Sequence, residues 1–369
     1  MRQEKNSLPV SIVSNIFKPV GPSAPGGLEV FNYYLTQELA KKDVDIELFA
    51  SGDSDSPYLK PLVEKSLEYS KPPQELAIPW NYRRMTVAEF IAYTDFVQKQ
   101  QGDRLIHFSL VNFLPVYLAV KKGLKILLTL HMSVKNLHYQ ALTQLLSQDE
   151  LQRVHFIGIS QHQVKDFPYT YKIIPNGVDT NAFGFQPDYQ DKFIWIGRLV
   201  KEKGTEDAIK AAQQADFSLE IGGSNKTPDE QKYFKESIEP NLNQKIRYKG
   251  FINANQRNDF YAAKATLFVS KLIEPAPLIL IESLACGTPV IAYNNGLASE
   301  IIQEGRTGFL VQPNDINGLV KAMQTLNSMP KDEYEEMRSD CRRYAEENLS
   351  LSKMTNRYIE TYQEIWQNE

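Results

Sequence analysis

Short apolar runs recur along the first half of the chain, and each is followed by a polar loop and a segment with helical periodicity. Runs of four to seven mostly apolar residues are typical of buried strands in a parallel sheet, and apolar positions three or four apart are typical of a helix. The pattern therefore predicts alternating strands and helices, which is the arrangement of an α/β fold. The predicted strands of this half are residues 10–13, 44–50, 105–108, 125–130 and 154–160.

The first predicted helix follows a loop that ends in Gly26 and Gly27, and its apolar face includes Leu28, Phe31 and Leu35. A strand, a glycine-ended loop and a helix form the first unit of a nucleotide-type α/β fold. The loop lacks the G-x-G-x-x-G motif, which disfavours dinucleotide binding. Gly26 and Gly27 would let a ligand approach the N–H groups at the helix start. A flexible turn is the alternative interpretation.

The stretch between the second and third strands has the weakest pattern. Residues 51–74 are polar and contain prolines, which predicts a long connection with short helices. Residues 78–100 have a helical pattern, and their aromatic side chains predict helix packing, with sugar stacking as the alternative. These aromatic residues are Trp80, Tyr82, Phe90, Tyr93 and Phe96.

The second half repeats the order of strand, loop and helix, with cations in the loop. Residues 193–197 predict a strand, and Arg198 and Lys203 follow it. Residues 206–215 then predict a helix. Ligands of open α/β sheets bind beyond the carboxyl ends of the strands, so this position favours phosphate binding over a solvated surface.

The sequence Ile-Pro-Asn-Gly-Val-Asp at positions 174–179 predicts a turn, because Asn and Gly are among the residues that most favour turns. We place the division between two domains at this turn peptide. We therefore predict a first Rossmann-like domain over residues 1–180 and a second over residues 181–350. The amphipathic helix of residues 351–369 is expected to cross back onto the first domain.

Two carboxylates, Glu274 and Glu282, stand eight positions apart around an apolar run. Residues 278–285 predict a helix whose first N–H groups, those of Leu278 and Ile279, form a phosphate seat with the positive end of the helix dipole. Glu282 lies further along this helix, where it could reach the hydroxyls of a ribose. A helix with one charged residue at each end is the alternative.

His131 directly follows an apolar strand, on the side where such sheets bind ligands. A structural histidine is the alternative. His138 lies seven residues further on, but no third ligand is spaced to complete a metal site, so we expect none. The Asp-x-Asp pairs at 43–45 and 53–55 flank a strand and do not predict a metal loop either.

Composition sets limits on the class of protein. The 369 residues suffice for two domains, and the net charge of −4 disfavours a nucleic-acid binder. Cys286 and Cys341 cannot form a disulfide framework. With no signal peptide or membrane span expected, we predict a cytoplasmic protein, with peripheral membrane contact and oligomeric state left open.

Four motifs follow one another along the chain, and their order matches that of a known family. They are Gly26-Gly27-Leu28-Glu29, the 174–179 turn peptide, Gly197-Arg198-Leu199 with Lys203-Gly204, and Glu274 with Glu282 in E-x7-E spacing. Together they resemble the retaining glycosyltransferases of the family-4 type, over nearly the whole chain. The resemblance implies the GT-B architecture: two facing Rossmann-like domains, a cleft between them and a C-terminal helix that returns to the first domain.

The resemblance also implies a function, the transfer of a sugar from a nucleotide-diphosphate donor to an acceptor hydroxyl, with no metal or other cofactor. It assigns catalytic roles to His131, Glu274, Arg198 and Lys203, with the two cations on the donor diphosphate. It assigns donor binding further to a set of backbone and carboxylate groups. These are Gly26, Gly27, Leu278, Ile279 and Glu282. The acceptor is left open among carbohydrates, lipid-linked sugars and small molecules.

Two positions depart from the family pattern. Met132 stands where an Asp often follows the histidine, and Ala276-Pro277 replaces Phe-Gly, which removes one backbone N–H near the donor. These departures favour one alternative, a non-catalytic homologue that serves as a binding subunit. A sugar phosphorylase or an epimerase of the same fold is a second alternative, which the E-x7-E spacing disfavours.

Overall fold

A computed structural model describes residues 8–24, 26–67, 82–169 and 171–367. Its contacts divide the chain into two compact units, the first formed by Met1–Asn176 with Met354–Glu369 and the second by Gly177–Lys353. The first boundary falls four residues before the one predicted at 180, and the second three residues after the one predicted at 350. Within the described ranges, no helix combines the length and apolar character needed to cross a membrane.

Among its described residues, the first unit is built on a seven-stranded sheet in which all pairings are parallel. Its strands are β1 (Pro9–Ser14), β2 (Asp45–Ser51), β3 (Leu59–Val63), β4 (Leu105–Ser109), β5 (Ile126–Leu130), β6 (Val154–Gly158) and β7 (Tyr171–Ile173). The strand order is β3-β2-β1-β4-β5-β6-β7. Every residue of β4 and β5 is buried, which explains their continuous apolar runs.

Helices flank this sheet on the pattern predicted from the apolar spacing. They are α1 (Gly27–Lys41), α2 (Tyr82–Lys99), α3 (Phe113–Lys121), α4 (Leu137–Leu145), α5 (Gln148–Gln152) and α6 (Gln161–Val164). In α2, Tyr93 and Phe96 are buried in the core, which fits packing, whereas Phe90 is 52% exposed. Trp80 and the start of the predicted helix at 78 lie outside the described residues.

One prediction for this unit is wrong. The stretch 51–74 was expected to hold short helices, but it contains β3 at the edge of the sheet. This strand includes Lys60 and Pro61 and is only half-buried, which hides it from a search for apolar runs. Proline is tolerated in an edge strand because one side of the strand needs no ladder partner.

The second unit repeats the plan with a six-stranded parallel sheet of order β10-β9-β8-β11-β12-β13. Its strands are β8 (Gln190–Ile196), β9 (Leu219–Gly222), β10 (Ile246–Gly250), β11 (Ala263–Phe268), β12 (Val290–Tyr293) and β13 (Gly308–Val311). Its helices are α7 (Thr205–Ala215), α8 (Pro228–Tyr233), α9 (Ala254–Phe260), α10 (Leu278–Ala285), α11 (Ala298–Ile301), α12 (Ile316–Ser328) and α13 (Lys331–Asn348). The predicted fold class, two parallel-sheet α/β domains, is thus confirmed.

Each sheet has one point where the strand order reverses, between β1 and β4 in the first unit and between β8 and β11 in the second. The loops that leave the strands on either side of such a point diverge, and the crevice between them is where open α/β sheets bind ligands. In the second unit these loops carry Arg198, Lys203 and Glu274.

The last helix, α14 (Leu351–Gln367), belongs to the first unit from Met354 onward. Its Tyr362 hydroxyl lies 2.8 Å from Nδ1 of the buried His107, whose Nε2 lies 2.7 Å from the Thr129 hydroxyl. Tyr358 of the same helix lies 3.1 Å from that hydroxyl. Burial lowers the pKa of His107 to about 3, so the imidazole is neutral and one of its nitrogens accepts a hydrogen bond.

We expect Tyr362→Phe to lower the free energy of unfolding by about 1–3 kcal/mol, because it leaves Nδ1 of His107 buried without its partner. Chemical denaturation measures the change. Tyr33→Phe is the matched control, since Tyr33 is half-buried and its hydroxyl has no hydrogen bond within the described part of the chain. Equal stability of the two variants would show that the contact between α14 and His107 does not stabilise the fold.

Candidate functional site

The carboxyl edge of the second sheet brings Lys203 and Glu274 together. Lys203 ends a short 3₁₀ helix after β8, and Glu274 lies in the loop after β11. The Lys203 Nζ donates to Oε2 of Glu274, and each side chain is 17% exposed. The other carboxylate oxygen, Oε1, is buried and makes no hydrogen bond within the described residues. The pair therefore retains one unused acceptor.

Gly204 explains why these loops can meet. Its φ is +74°, and a Cβ placed on it would lie 2.0 Å from the backbone oxygen of Val269, just beyond β11. Only glycine fits both the left-handed conformation and this close approach. The α7 helix starts directly after Gly204 with no side-chain cap, so its amino end also points its dipole at this edge.

A second glycine holds Glu274 itself. Gly296, in the loop after β12, has a φ of +53°, and a Cβ there would lie 2.6 Å from the backbone oxygen of Glu274. The N–H of Leu297 donates to that same oxygen at 3.2 Å. The loop after β12 thus fixes the backbone of Glu274, while Lys203 binds its side chain.

The predicted helix of the E-x7-E stretch forms with the expected bounds. Pro277 is the N-cap of α10 and provides no side-chain cap. The N–H groups of Leu278 and Ile279 stand in the first turn, where an intrahelical acceptor is missing by geometry. The N–H that Pro277 lacks belongs to the cap position, so the departure from the family pattern leaves the first-turn donors in place.

Arg198 differs from Lys203 in its surroundings. It is exposed, and its side chain forms no hydrogen bond or ion pair with any residue that the structure describes. The second unit thus presents the unpaired Arg198, the Lys203 that is paired to a carboxylate, and the uncapped starts of α7 and α10 at the same edge. This arrangement suits a ligand with several negative charges.

Glu282 is buried and held by two side chains, one on α9 and one on the residue that follows α9. It is 2% exposed, and its two oxygens accept from Arg257 Nη1 at 2.7 Å and from the Tyr261 hydroxyl at 2.8 Å. Burial and the Glu282 charge raise the pKa of Tyr261 well above its usual range, so the phenol keeps its proton and donates. The ribose contact of Glu282 stays a prediction.

His131 sits at the carboxyl edge of the first sheet. Its Nε2 lies 2.9 Å from the Ser109 hydroxyl, and Ser109 donates its own proton to Oδ1 of Asn32. Nε2 of His131 must therefore carry the proton that Ser109 accepts, which leaves Nδ1 as an acceptor. Burial lowers the pKa of His131 to about 3, so the ring is neutral at physiological pH.

The predicted ligand approach at Gly26 and Gly27 meets a carboxylate of the chain itself. Gly26 is the N-cap of α1, and a Cβ on it would lie 2.0 Å from Oε2 of Glu29. A Cβ on Gly27 would meet open space as far as the described residues beyond its own helix and chain neighbours are concerned. Glu29 is buried and folds back over the helix start, where its charge is favourable. The donor contact of the two glycines stays a prediction.

Sequence reasoning missed Glu89 on α2. This side chain is 6% exposed and hydrogen-bonds to Asn112, in the loop after β4. Burial raises its pKa to about 7, and Tyr93, one helical turn away, feels the charges of both Glu89 and Glu29. Its spacing could have predicted its burial, because Glu89, Tyr93 and Phe96 lie three or four residues apart and share one face of α2.

Two family models match the chain in succession. The model described as Glycosyltransferase Family 4 matches residues 25–182, and the model described as Glycosyl transferases group 1 matches residues 180–348. The two matches overlap at residues 180–182, directly after the turn peptide that separates the predicted domains.

Relatives with known sequences are distant. An uncharacterized 41.2 kDa protein in the cps region of Klebsiella pneumoniae is 26% identical over 172 residues, which cover 46% of this chain and 45% of that protein. The chain thus spans about half the length of this relative.

Solved structures match over the whole chain at low identity. Sucrose-phosphate synthase from Thermosynechococcus elongatus has a TM-score of 0.75 at 20% identity and covers 98% of this chain and 100% of its own. Alr3699/HepE from Anabaena, solved in complex with UDP, has a TM-score of 0.71 at 17% identity. The match covers 97% of this chain and 100% of the Anabaena chain. Identities this low show a shared fold alone.

The motifs, the two parallel-sheet domains and the two family models agree. The chain belongs to the glycosyltransferases of the family-4 type, and the resemblance inferred from its motifs is confirmed.

We expect Glu89→Gln to remove a pH dependence of stability. Because Glu89 has a pKa of about 7 when folded and near 4.5 when unfolded, the folded state holds the proton more tightly. The free energy of unfolding therefore falls as pH rises from about 4.5 to about 7, by on the order of 2–3 kcal/mol. Denaturation curves should show that the free energy of unfolding of the variant, relative to that of the wild type, rises by this amount between about pH 4.5 and pH 7. A pH-independent difference would show that Glu89 ionises normally.

Proposed function

We propose that this protein transfers a sugar from a nucleotide-diphosphate donor to an acceptor hydroxyl, with retention of configuration and without a metal. The observation that carries the proposal is the collection of Arg198, Lys203, Glu274 and the uncapped start of α10 at the switch point of the second sheet. The complex of the Anabaena protein with UDP supports a nucleotide diphosphate as the ligand class.

The difficult step of such a transfer is the departure of the diphosphate, which gains negative charge as the glycosidic bond breaks. Arg198, Lys203 and the N–H groups of Leu278 and Ile279 would stabilise that charge. Preorganised donors of this kind contribute about 3–4 kcal/mol each in well-studied sites. These groups can stabilise the charge of the diphosphate, which is why we propose that no divalent cation is needed.

The partners of the two cations suggest an order in which they contact the diphosphate. Arg198 has no competing partner in the described residues, so it meets the diphosphate first. Lys203 already binds Glu274 and must share or exchange that contact. The displaced Glu274 carboxylate would then face the transferred sugar. In the resembled family the leaving phosphate is thought to accept the proton of the acceptor hydroxyl.

His131 takes a different role in this proposal. Its neutral ring holds Nδ1 as an acceptor, because Ser109 fixes the other nitrogen in its protonated form. Such a group can orient a sugar hydroxyl by accepting its hydrogen bond. A neutral imidazole supplies no positive charge.

Calorimetric titration with UDP, GDP and ADP in buffer containing EDTA tests the proposal. We expect one of them to bind, and Arg198→Ala to weaken that binding at least tenfold, because an unpaired cation is lost. Lys210→Ala is the matched control, since Lys210 is an exposed cation on α7. Binding that requires Mg²⁺ would contradict metal independence. If none of the three binds under either condition, the non-catalytic alternative replaces the proposal.

We also expect separate effects of the two carboxylates. Glu282→Ala should weaken the bare nucleotide diphosphate by about 1.5–3 kcal/mol, because it removes a charged hydrogen-bonding group from the nucleoside end. Glu274→Ala should not weaken it, because the change frees Lys203, but it should reduce sugar transfer. Calorimetry beside a transfer assay separates the two effects. The opposite pattern would reverse the assignment.

A further inference from the structure

We propose that the first unit carries a second binding site, separate from the site of sugar transfer, and that this site holds a neutral oligosaccharide. The site consists of two adjoining cavities beside β7, the strand at one end of the first sheet. The inference goes beyond the proposed function, because it uses no group that we assign to the donor or to the transfer step.

The two cavities differ in size and share one wall. The larger has a volume of about 410 Å³ and lies between the amino end of β6, β7 and the last two turns of α14. The smaller, of about 220 Å³, lies between α4 and the segment that leads into β7. Tyr169 lines both, so they adjoin there, and we call them together the β7 groove. The larger cavity falls in the range of about 300–1,000 Å³ that is usual for ligand sites.

The larger cavity has a position of its own in the first unit. Leu151 and Val154 in its wall stand at the amino end of β6, whereas His131 follows the carboxyl end of β5. Because β5 and β6 are parallel, these two ends lie at opposite edges of the sheet. Among the described residues, His131 lines neither cavity. A ligand in the β7 groove would therefore occupy a second site.

Four aromatic side chains line the β7 groove. Phe156 and Phe167 are buried, at 3% and 9% exposure, whereas Tyr169 and Tyr171 are half-buried. The Phe167 ring centroid lies 5.1 Å from that of Tyr169 and 6.3 Å from that of Tyr171. The buried rings thus hold the two tyrosines in place, so little conformational entropy is lost when a ligand packs on them. The faces of a pyranose ring carry C–H groups, which pack well on such rings.

The charges along the β7 groove are balanced. Lys172 binds Glu364 at the larger cavity, and Lys135 Nζ lies 3.9 Å from a carboxylate oxygen of Asp166 at the smaller. Apart from His155, these are the Lys, Arg, His, Asp and Glu residues that line the groove among the described positions. A site for an anionic ligand would show an excess of cations. The balance favours an uncharged ligand.

Uncharged polar groups complete the site. Gln152 lines the larger cavity and Gln140 the smaller, and both are exposed. Neither side chain forms a hydrogen bond with any residue that the structure describes. An amide both donates and accepts, as sugar hydroxyls do, so these groups suit a carbohydrate.

The rival occupant is an extended peptide that adds a strand to β7. Its backbone would pair with Tyr171–Ile173, which offers only three residues for a ladder of hydrogen bonds. An oligosaccharide needs no such ladder, and it can place sugar units in both cavities on either side of Tyr169. We therefore commit to the oligosaccharide.

Calorimetric titration without nucleotide tests the inference, with neutral hexasaccharides of glucose, galactose, mannose and N-acetylglucosamine as probes. We expect the wild type to bind at least one of them. Tyr169→Ala should weaken that binding about tenfold, because the packing surface of one aromatic ring is lost. Tyr169→Phe keeps the ring and should bind like the wild type. Tyr58→Ala is the matched control, since Tyr58 is also half-buried but precedes β3 at the opposite end of the same sheet.

Two variants at exposed positions show how far the ligand extends. Gln152→Ala and Gln140→Ala should each weaken the hexasaccharide about threefold, because each removes one hydrogen-bonding group from a different cavity. A loss from only one of them would contradict a ligand that spans both cavities. Melting curves of all variants report whether each one is folded.

The outcomes separate the inference from the proposed function. If the wild type binds none of the neutral hexasaccharides, or if Tyr169→Ala binds them with full affinity, the inference falls and the proposed function is untouched. Tighter binding of a galacturonic acid hexasaccharide would also overturn it, because the site would then select a charged ligand. If the wild type binds a neutral hexasaccharide but none of UDP, GDP and ADP, the proposed function falls and this inference stands.

Discussion

All strand pairs in both sheets are parallel, and this constraint decides where charge collects. Every strand delivers its carboxyl end to one edge of the sheet, and the helix that follows presents its positive amino end there. The loops at that edge therefore form in a field that favours anions. Lys203 and Glu274 lie in such loops in the second unit, and Glu29 lies at such a helix start in the first.

Each carboxylate at these edges has a partner within the protein, although Oε1 of Glu274 accepts no hydrogen bond from the described residues. Glu274 binds Lys203, Glu282 binds Arg257, and Glu29 folds over the start of its own helix. An anionic ligand must then exchange with an existing negative charge at Lys203 instead of neutralising a bare cation. The affinity for the ligand is then the free-energy difference between Lys203 bound to the ligand and Lys203 bound to Glu274. Arg198 has no partner among the described residues, so its contact with a ligand displaces no existing ion pair.

The sequence predicted most of the frame and part of the site, for reasons that can be named. Residues 278–285 were predicted with their observed bounds because Pro277 and Gly287 limit the apolar run on both sides. Strand β3 was missed because a half-exposed edge strand has little apolar signal. The contact between Arg257 and Glu282 joins residues 25 positions apart, and no periodicity within one element reports a pairing between two helices.

The path of the chain through the units has a consequence for synthesis on the ribosome. The second unit is one continuous stretch, Gly177–Lys353, whereas the first needs α14 to supply the partners of His107 and Thr129. Domains generally fold as they emerge, amino-terminal first. Here that order is altered, because the second unit can fold while His107 and Thr129 of the first unit still lack their partners from α14. The first unit to be translated is thus the last to be completed.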